Sequence, residues 1–257
     1  MTNLPRISIV TPSFNQGQYL ERTILSVINQ NYPNLEYIII DGGSTDNSVE
    51  IIRKYESKIA YWVSEKDRGQ SHAINKGFQK ITGDIVGWIN SDDWYEEGVF
   101  DEIAKNFKIN PAGIWLGNCT KRFENGGKNR VLKPAVPTFR SLTRYWRKNF
   151  CPPQPSIFFP HSCLKTIGFL DESLNYAMDL DLWTRMACHF NFYYVNKNLS
   201  NYLIHDMSKS GSVNAFKNFR KEWKLVCFRH LRKASFKDKI LGYLDYYYHR
   251  LRRPSRF

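Results

Sequence analysis

The chain has no apolar run approaching the ~18 residues that a membrane-spanning helix needs. Its opening residues, Met1-Thr2-Asn3-Leu4-Pro5-Arg6, lack the apolar core of a signal peptide, so a cytosolic location is expected. Cysteine is scarce. The five present (Cys119, Cys151, Cys163, Cys188 and Cys227) are odd in number and form no C-x-x-C pair, which argues against a zinc site and for reduced thiols. There is no G-x-G-x-x-G and no Walker A sequence, so neither a dinucleotide fingerprint nor a P-loop supplies a phosphate site. Acidic residues are few: 24 Asp and Glu stand against 37 Lys and Arg, a net charge of +13. With 42% hydrophobic and 15% aromatic residues, disorder on a large scale is excluded.

What is present begins with 257 residues, enough for one large domain with a real core. The charge is uneven. Asn214 to Phe257 holds 13 Lys/Arg against 3 Asp/Glu, a net of +10, which leaves about +3 for the rest. The basic character therefore describes a partner of the tail, not of the core.

The first half alternates strand and helix patterns. Strands are expected at 6–10, 36–41, 59–63 and 85–89, with helical spacing in Leu20, Ile24, Val27 and Ile28, in Val49 to Tyr55, and in Ser71 to Lys80. This alternation predicts a mostly parallel sheet with helices on its faces. The middle reads as a hairpin over 114–132, a basic-aromatic linker or lid over 134–150, and a strand near 155–159 whose Pro-rich approach, 151–155, is not helical. A helix to Ile167 should end at Gly168. Another is expected over 179–190, then two short strands at 192–195 and 199–204. Two basic helices, parted near Ala234-Ser235, complete the chain.

The strand Ile85 to Ile89 runs into Asn90-Ser91-Asp92-Asp93. Ligands of α/β sheets bind at the carboxyl ends of strands. Two adjacent carboxylates repel unless a cation lies between them, and oxygen ligands of this kind suit Mg²⁺ or Mn²⁺ holding a substrate diphosphate. The bland alternative is a solvated turn capping a helix that starts near Trp94. Asp41 and Asp67 also follow strand-like runs, and Thr11-Pro12 follows the first strand, so a parallel sheet gathers all of these on one edge. Asp41 offers an acceptor for the ring N–H of a nucleobase, while Arg68 and Lys76 can offset phosphate charge. A second acidic pair, Asp179 and Asp181, flanks a helix start. One is expected to cap it, and the other is a candidate general base. His205, at a strand end, is a candidate third metal ligand or diphosphate contact.

The ordered set 7–15, 39–46, 65–70, 73–77, 83–85, 90–93 and 179–183 resembles the family-2 inverting glycosyltransferases. That resemblance implies an α/β, GT-A, Rossmann-like, mixed but mostly parallel sheet flanked by helices. It divides the chain into 1–105 for the nucleotide, 106–212 for acceptor and base, and a basic-aromatic helical tail over 213–257. It implies that Thr11, Pro12 and Asn15 line the nucleotide pocket, with Asp41 on the base and Asp67 near base, ribose or phosphates. Asp93 would hold Mn²⁺ or Mg²⁺, with Asp92 nearer ribose or sugar. Asp179 would be the base. The family's Glu-Asp pair is here Met178-Asp179, which leaves Asp181 to compensate. The expected donor is a nucleotide-diphosphosugar, UDP-linked by preference. The expected acceptor is a glycan or lipid-linked glycan of bacterial surface-polysaccharide assembly, with the tail holding the enzyme as a peripheral protein at the anionic inner face of the cell membrane. A nucleotidyltransferase is disfavoured by the absence of a basic residue in Thr11 to Asn15. No recognition motif supports nucleic-acid binding.

Overall fold

The computed structural model describes residues 4–147, 151–211 and 215–252. The first half follows the expected alternation: β1 Ile7–Ser13, α1 Gly17–Ile28, β2 Leu35–Asp41, α2 Ser48–Lys54, β3 Tyr61–Ser64, α3 Gln70–Phe78 and β4 Ile85–Trp88. Then come β5 Trp94–Tyr95, α4 Val99–Ile109, β6 Ile114–Phe123, β7 Arg130–Leu132, α5 Phe139–Leu142, β8 Ile157–Pro160 and α6 His161–Ile167. The chain continues through α7 Met178–Met186, β9 Phe192–Ile204, α8 Ala215–Lys233 and α9 Phe236–Arg252.

The sheet order is β3-β2-β1-β4-β8-β6-β9-β5, with β7 paired to β6. The first four strands are parallel, while β8 runs antiparallel to both β4 and β6. All of β1 is buried because helices cover both sheet faces. Alternate residues feed two cores. Ile7, Ile9, Ile39 and Ile85 pack with α1 and α4. Val10, Ile38, Ile40, Val86 and Trp88 pack with α3, α7 and the tail helices. Gly77 lets α3 lie close on β1, since a Cβ there would meet the Val10 side chain at 2.3 Å.

Several expectations are corrected. No helix starts at Trp94: Trp94-Tyr95 pairs with Ser200 and Asn201, and α4 begins only at Val99. The two short strands at 192–204 are one strand, because β6 is long enough to pair with both halves across a register shift at Gly117 to Cys119. Residues 154–156 form a turn of 3-10 helix that accommodates Pro155 in its first turn. Residues 139–147 are not a free lid. Leu142, Tyr145 and Trp146 are buried, and the Trp146 indole N–H donates to Asp245 of α9 at 2.7 Å; residues 148–150 lie outside the described residues. The tail does form two helices, but its inner face belongs to the core, with Val226, Cys227, Leu231 and Tyr246 packed beside Trp183 and Leu142. The boundary expected at 212–213 also lies outside the described residues.

Candidate active site

The parallel strands end together, which brings Thr11 to Asn15, Asp41 to Ser44, Ser64 to Asp67 and Asn90 to Asp93 to one rim. Asp41 does not face this rim. It is fully buried, with Oδ2 accepting from the Gly43 and Ser44 N–H groups and the Ser64 hydroxyl, and Oδ1 from the Ser44 hydroxyl. These four hydrogen bonds tie the 41–44 turn together and to the end of β3. Thr11 is likewise buried, against the Tyr37 hydroxyl at 3.0 Å, and Pro12 is buried in β1. Asn15, at φ 51, ties two loops together: its Oδ1 accepts from the Thr45 N–H at 2.8 Å. The open wall is made by Phe14, Gly42 and Asp67. Phe14 is 57% exposed. A Cβ on Gly42 would meet Asp67 Oδ2 at 2.5 Å and Phe14 at 3.3 Å, so glycine leaves room there. Asp67 Oδ1 accepts from the Gly69 N–H.

The acid turn after β4 separates its two carboxylates. Asp93 is 0% exposed and points inward, where Oδ1 accepts from the Leu203 N–H at 3.0 Å and Oδ2 from the Asn90 amide at 3.4 Å. Burial, then the neighbouring Asp92 charge, pushes its carboxyl well above the ordinary range. Asp92 is the one that remains partly exposed, and its Oδ2 lies 3.0 Å from His205 Nε2. Helix α1 braces the turn: the Thr23 hydroxyl donates to the carbonyls of Ser91 and Asp93, and Arg22 donates to the Asp92 carbonyl while stacking on Trp94. Tyr19 packs on the His205 ring at 4.3 Å.

No group of three or more His, Cys, Asp or Glu among the described residues is arranged to hold a metal. A divalent ion would therefore have two protein ligands, Asp92 and His205. This fits an ion completed by substrate phosphates, as Mg²⁺ and Mn²⁺ sites often are. The imidazole suits Mn²⁺ of the two. His205 presents Nε2 to Asp92 Oδ2, so both atoms face the same point, while Nδ1 is buried without a hydrogen-bond partner.

Helix α7 divides its acids differently. Residues two apart on a helix do not share a face. Asp181 is 3% exposed and turned to the tail, with Arg185 Nε and His230 Nε2 each 2.8 Å from its oxygens. Burial opposes its charge, but His230 and Arg185 hold its carboxyl below the ordinary range. Asp181 thus ties α7 to the first tail helix through His230. Asp179 is partly exposed. Burial pushes its carboxyl up to about 6, against the opposing pull of the Leu180 N–H and Lys209.

Among the cations, Arg68 is paired with Glu172 at 2.6 Å and Lys76 with Glu65 at 2.5 Å. Lys209 lies in the loop after β9. Its Nζ donates to Gln70 Oε1 at 2.8 Å and to the Asn175 carbonyl at 2.7 Å. Gln70 in turn donates to Asn90 at 2.7 Å. One polar chain therefore links the acid turn to the start of α7. Gln70 closes the 65–70 motif and opens α3, whereas Lys209 had no signal in the sequence beyond its place in a Ser/Lys-rich loop.

The model of "Glycosyl transferase family 2" matches residues 8–168, and the chain belongs to that family. An uncharacterised glycosyltransferase of Rickettsia typhi is 25% identical over 93% of this chain and 76% of its own length. One of Mycobacterium tuberculosis is 32% identical over 73% of this chain and 71% of its own. Among solved structures, residues 1–349 of Staphylococcus aureus TarS with UDP-GlcNAc superpose with a TM-score of 0.64 at 17% identity. That match covers 84% of this chain but only 65% of the TarS segment. The mannosyltransferase PcManGT of Pyrobaculum calidifontis, with GDP-Man and Mn²⁺, gives 0.59 at 17% identity, over 99% of this chain and 83% of its own. The fold is GT-A, as the sequence resemblance implied.

Proposed function

We propose that this protein is an inverting glycosyltransferase that moves a sugar from a nucleotide-diphosphosugar to an acceptor hydroxyl. The observation that carries this reading is the polar chain Asn90–Gln70–Lys209–Asn175, which joins the acid turn and the start of α7 at one cleft. Phe14 and Asp67 form the wall for the nucleoside, with Asp67 Oδ2 in place of Asp41 as acceptor for a ring N–H. Asp92 and His205 hold the ion, while Asp93 keeps the turn in shape from within. The ion, Mn²⁺ or Mg²⁺, supplies charge stabilisation to the departing diphosphate. Lys209 adds a fixed positive charge on the same side.

Asp179 takes the proton from the acceptor hydroxyl. A carboxyl near 6 is ionised at neutral pH yet more basic than an ordinary one, as a general base should be. With Asp181 turned away, a single carboxylate serves the acceptor, which suits one direct displacement with inversion. The UDP-GlcNAc and GDP-Man of the structural neighbours support a UDP- or GDP-linked donor, UDP being preferred. Calorimetry with UDP and GDP tests the donor site: binding should tighten with Mn²⁺, and equal affinity with and without metal for both nucleotides overturns the metal-bound diphosphate.

The acceptor is assigned to surface-glycan assembly on a lipid carrier, at the inner face of the cell membrane. No helix among the described residues is long and apolar enough to cross a membrane. Phe236, Ile240, Leu244, Tyr247 and Leu251 are exposed at helical spacing along α9, flanked by Lys237, Lys239, Arg250 and Arg252. An apolar stripe with basic flanks suits an anionic leaflet. Co-sedimentation with anionic vesicles should fall with salt and with Leu244→Asp plus Tyr247→Asp. Indifference to lipid charge overturns this placement.

A further inference from the structure

Ala177, the residue before α7, offers no side-chain cap, and Asn175-Tyr176 ahead of it supplies none. The N–H groups at a helix start must still find acceptors. The segment that leads into α7 finds its acceptor on α8. Glu222 Oε2 accepts from the backbone N–H of Asn175 at 3.0 Å, Tyr176 at 2.7 Å and Ala177 at 3.0 Å, and Oε1 also accepts from Asn175 at 3.1 Å. A single carboxylate 45 residues away in sequence thus holds three consecutive amides immediately before the turn that carries Asp179. The same turn is gripped on either side. Asn218 donates to the Tyr176 hydroxyl at 3.1 Å, the Phe219 ring meets Tyr176 edge-on at 5.1 Å, and Lys209 donates to the Asn175 carbonyl. Met178, beside Asp179, brings no charge of its own.

We propose that Glu222 is a positioning residue for Asp179, so that the tail helix completes the catalytic half of the enzyme. This rests on the reading of Asp179 as the base. The carboxylate fixes the first turn of α7 and sets the rotation at which Asp179 meets the cleft. It places negative charge at the positive end of that helix, a favourable pairing. A displacement of about 1 Å at a base costs on the order of 100-fold in rate, so the grip matters well beyond its hydrogen bonds.

The test uses the full chain with Glu222→Ala and Glu222→Gln. The first readout is amide hydrogen exchange. The Ala variant should exchange Asn175, Tyr176 and Ala177 at least ten times faster, with β1 and β4 unchanged. The Gln variant keeps an acceptor and should recover part of the protection. The second readout is nucleoside diphosphate release from UDP-GlcNAc and from GDP-mannose with Mn²⁺ and water as acceptor. Glu222→Ala should lower kcat at least tenfold while donor KM stays within twofold, and Glu222→Gln should lie between it and the native chain. Unchanged exchange at 175–177, or a uniform rise across the whole chain, overturns the proposal. So does a lower melting temperature with kcat intact. If the native chain releases diphosphate from neither donor, the functional reading fails on its own, and the exchange pattern still decides whether Glu222 positions this turn.

Discussion

The acid turn after β4 and the first turn of α7 each carry two carboxylates, and in both the fold buries one and leaves one partly exposed. The means differ. Asp93 goes inside to neutral donors, the Leu203 N–H and the Asn90 amide, and its carboxyl is pushed up. Asp181 goes inside to the cationic Arg185 and to His230, and its carboxyl is held down. A buried acid without a cation tends toward its neutral form, whereas one beside cations stays charged. The inner acid of the nucleotide half is therefore a shape element, and that of the acceptor half is a charge element joining α7 to the tail.

That contrast can be broken most directly at the outer acids. Asp179→Asn should lower kcat by ~100-fold or more while leaving donor binding intact, because the base acts only in the transition state. Near-normal turnover in steady-state kinetics would remove Asp179 from the mechanism. The next largest effect should fall on the inner charge. Asp181→Asn removes the negative charge that Arg185 and His230 face and should cost about 3 kcal/mol of stability in denaturant titration. The contribution of Asp181 is present at neutral pH and is lost as pH falls through its depressed native value. By contrast, Asp93→Asn matches the neutral form that burial favours and should cost ~1 kcal/mol or less. Equal losses at 93 and 181 would erase the distinction between them.

Asp92→Ala should abolish the tightening of nucleotide binding by Mn²⁺, about tenfold or more where two protein ligands share the ion. If Asp93→Asn abolishes it and Asp92→Ala does not, the two acids are exchanged. The smallest expected effect is a pH limb. Asp179 must be ionised to act, so kcat should fall as pH drops through about 6. Asp181→Asn should leave that midpoint in place.

Much of the first half was legible. Ile7 to Val10, Ile38 to Ile40 and Ile85 to Trp88 are near-continuous apolar runs, which mark strands covered on both faces, and the 3.6-residue spacing of Leu20, Ile24 and Val27 marks α1. Gly168, at φ 77, ended α6 as expected. The second half was less legible, because its strands are defined by partners. Residues 196–198 look like a break, yet β9 is continuous because β6 lies alongside it. Trp94-Tyr95 looks like a helix start and is strand because Ser200 and Asn201 face it.

The sequence alone determined the alternating parallel sheet, the rim on which acids follow strands, and the helical form of the basic tail, since these depend on local apolar spacing and turn chemistry. Only the tertiary structure decided which acid of each pair is buried and which stays partly exposed. It also brought Lys209 to Gln70 and set Glu222 against the three amides that lead into α7. The contacts behind those outcomes include hydrogen bonds across 45, 110 and 139 residues of chain, and no local pattern encodes the direction in which a carboxylate will find such donors.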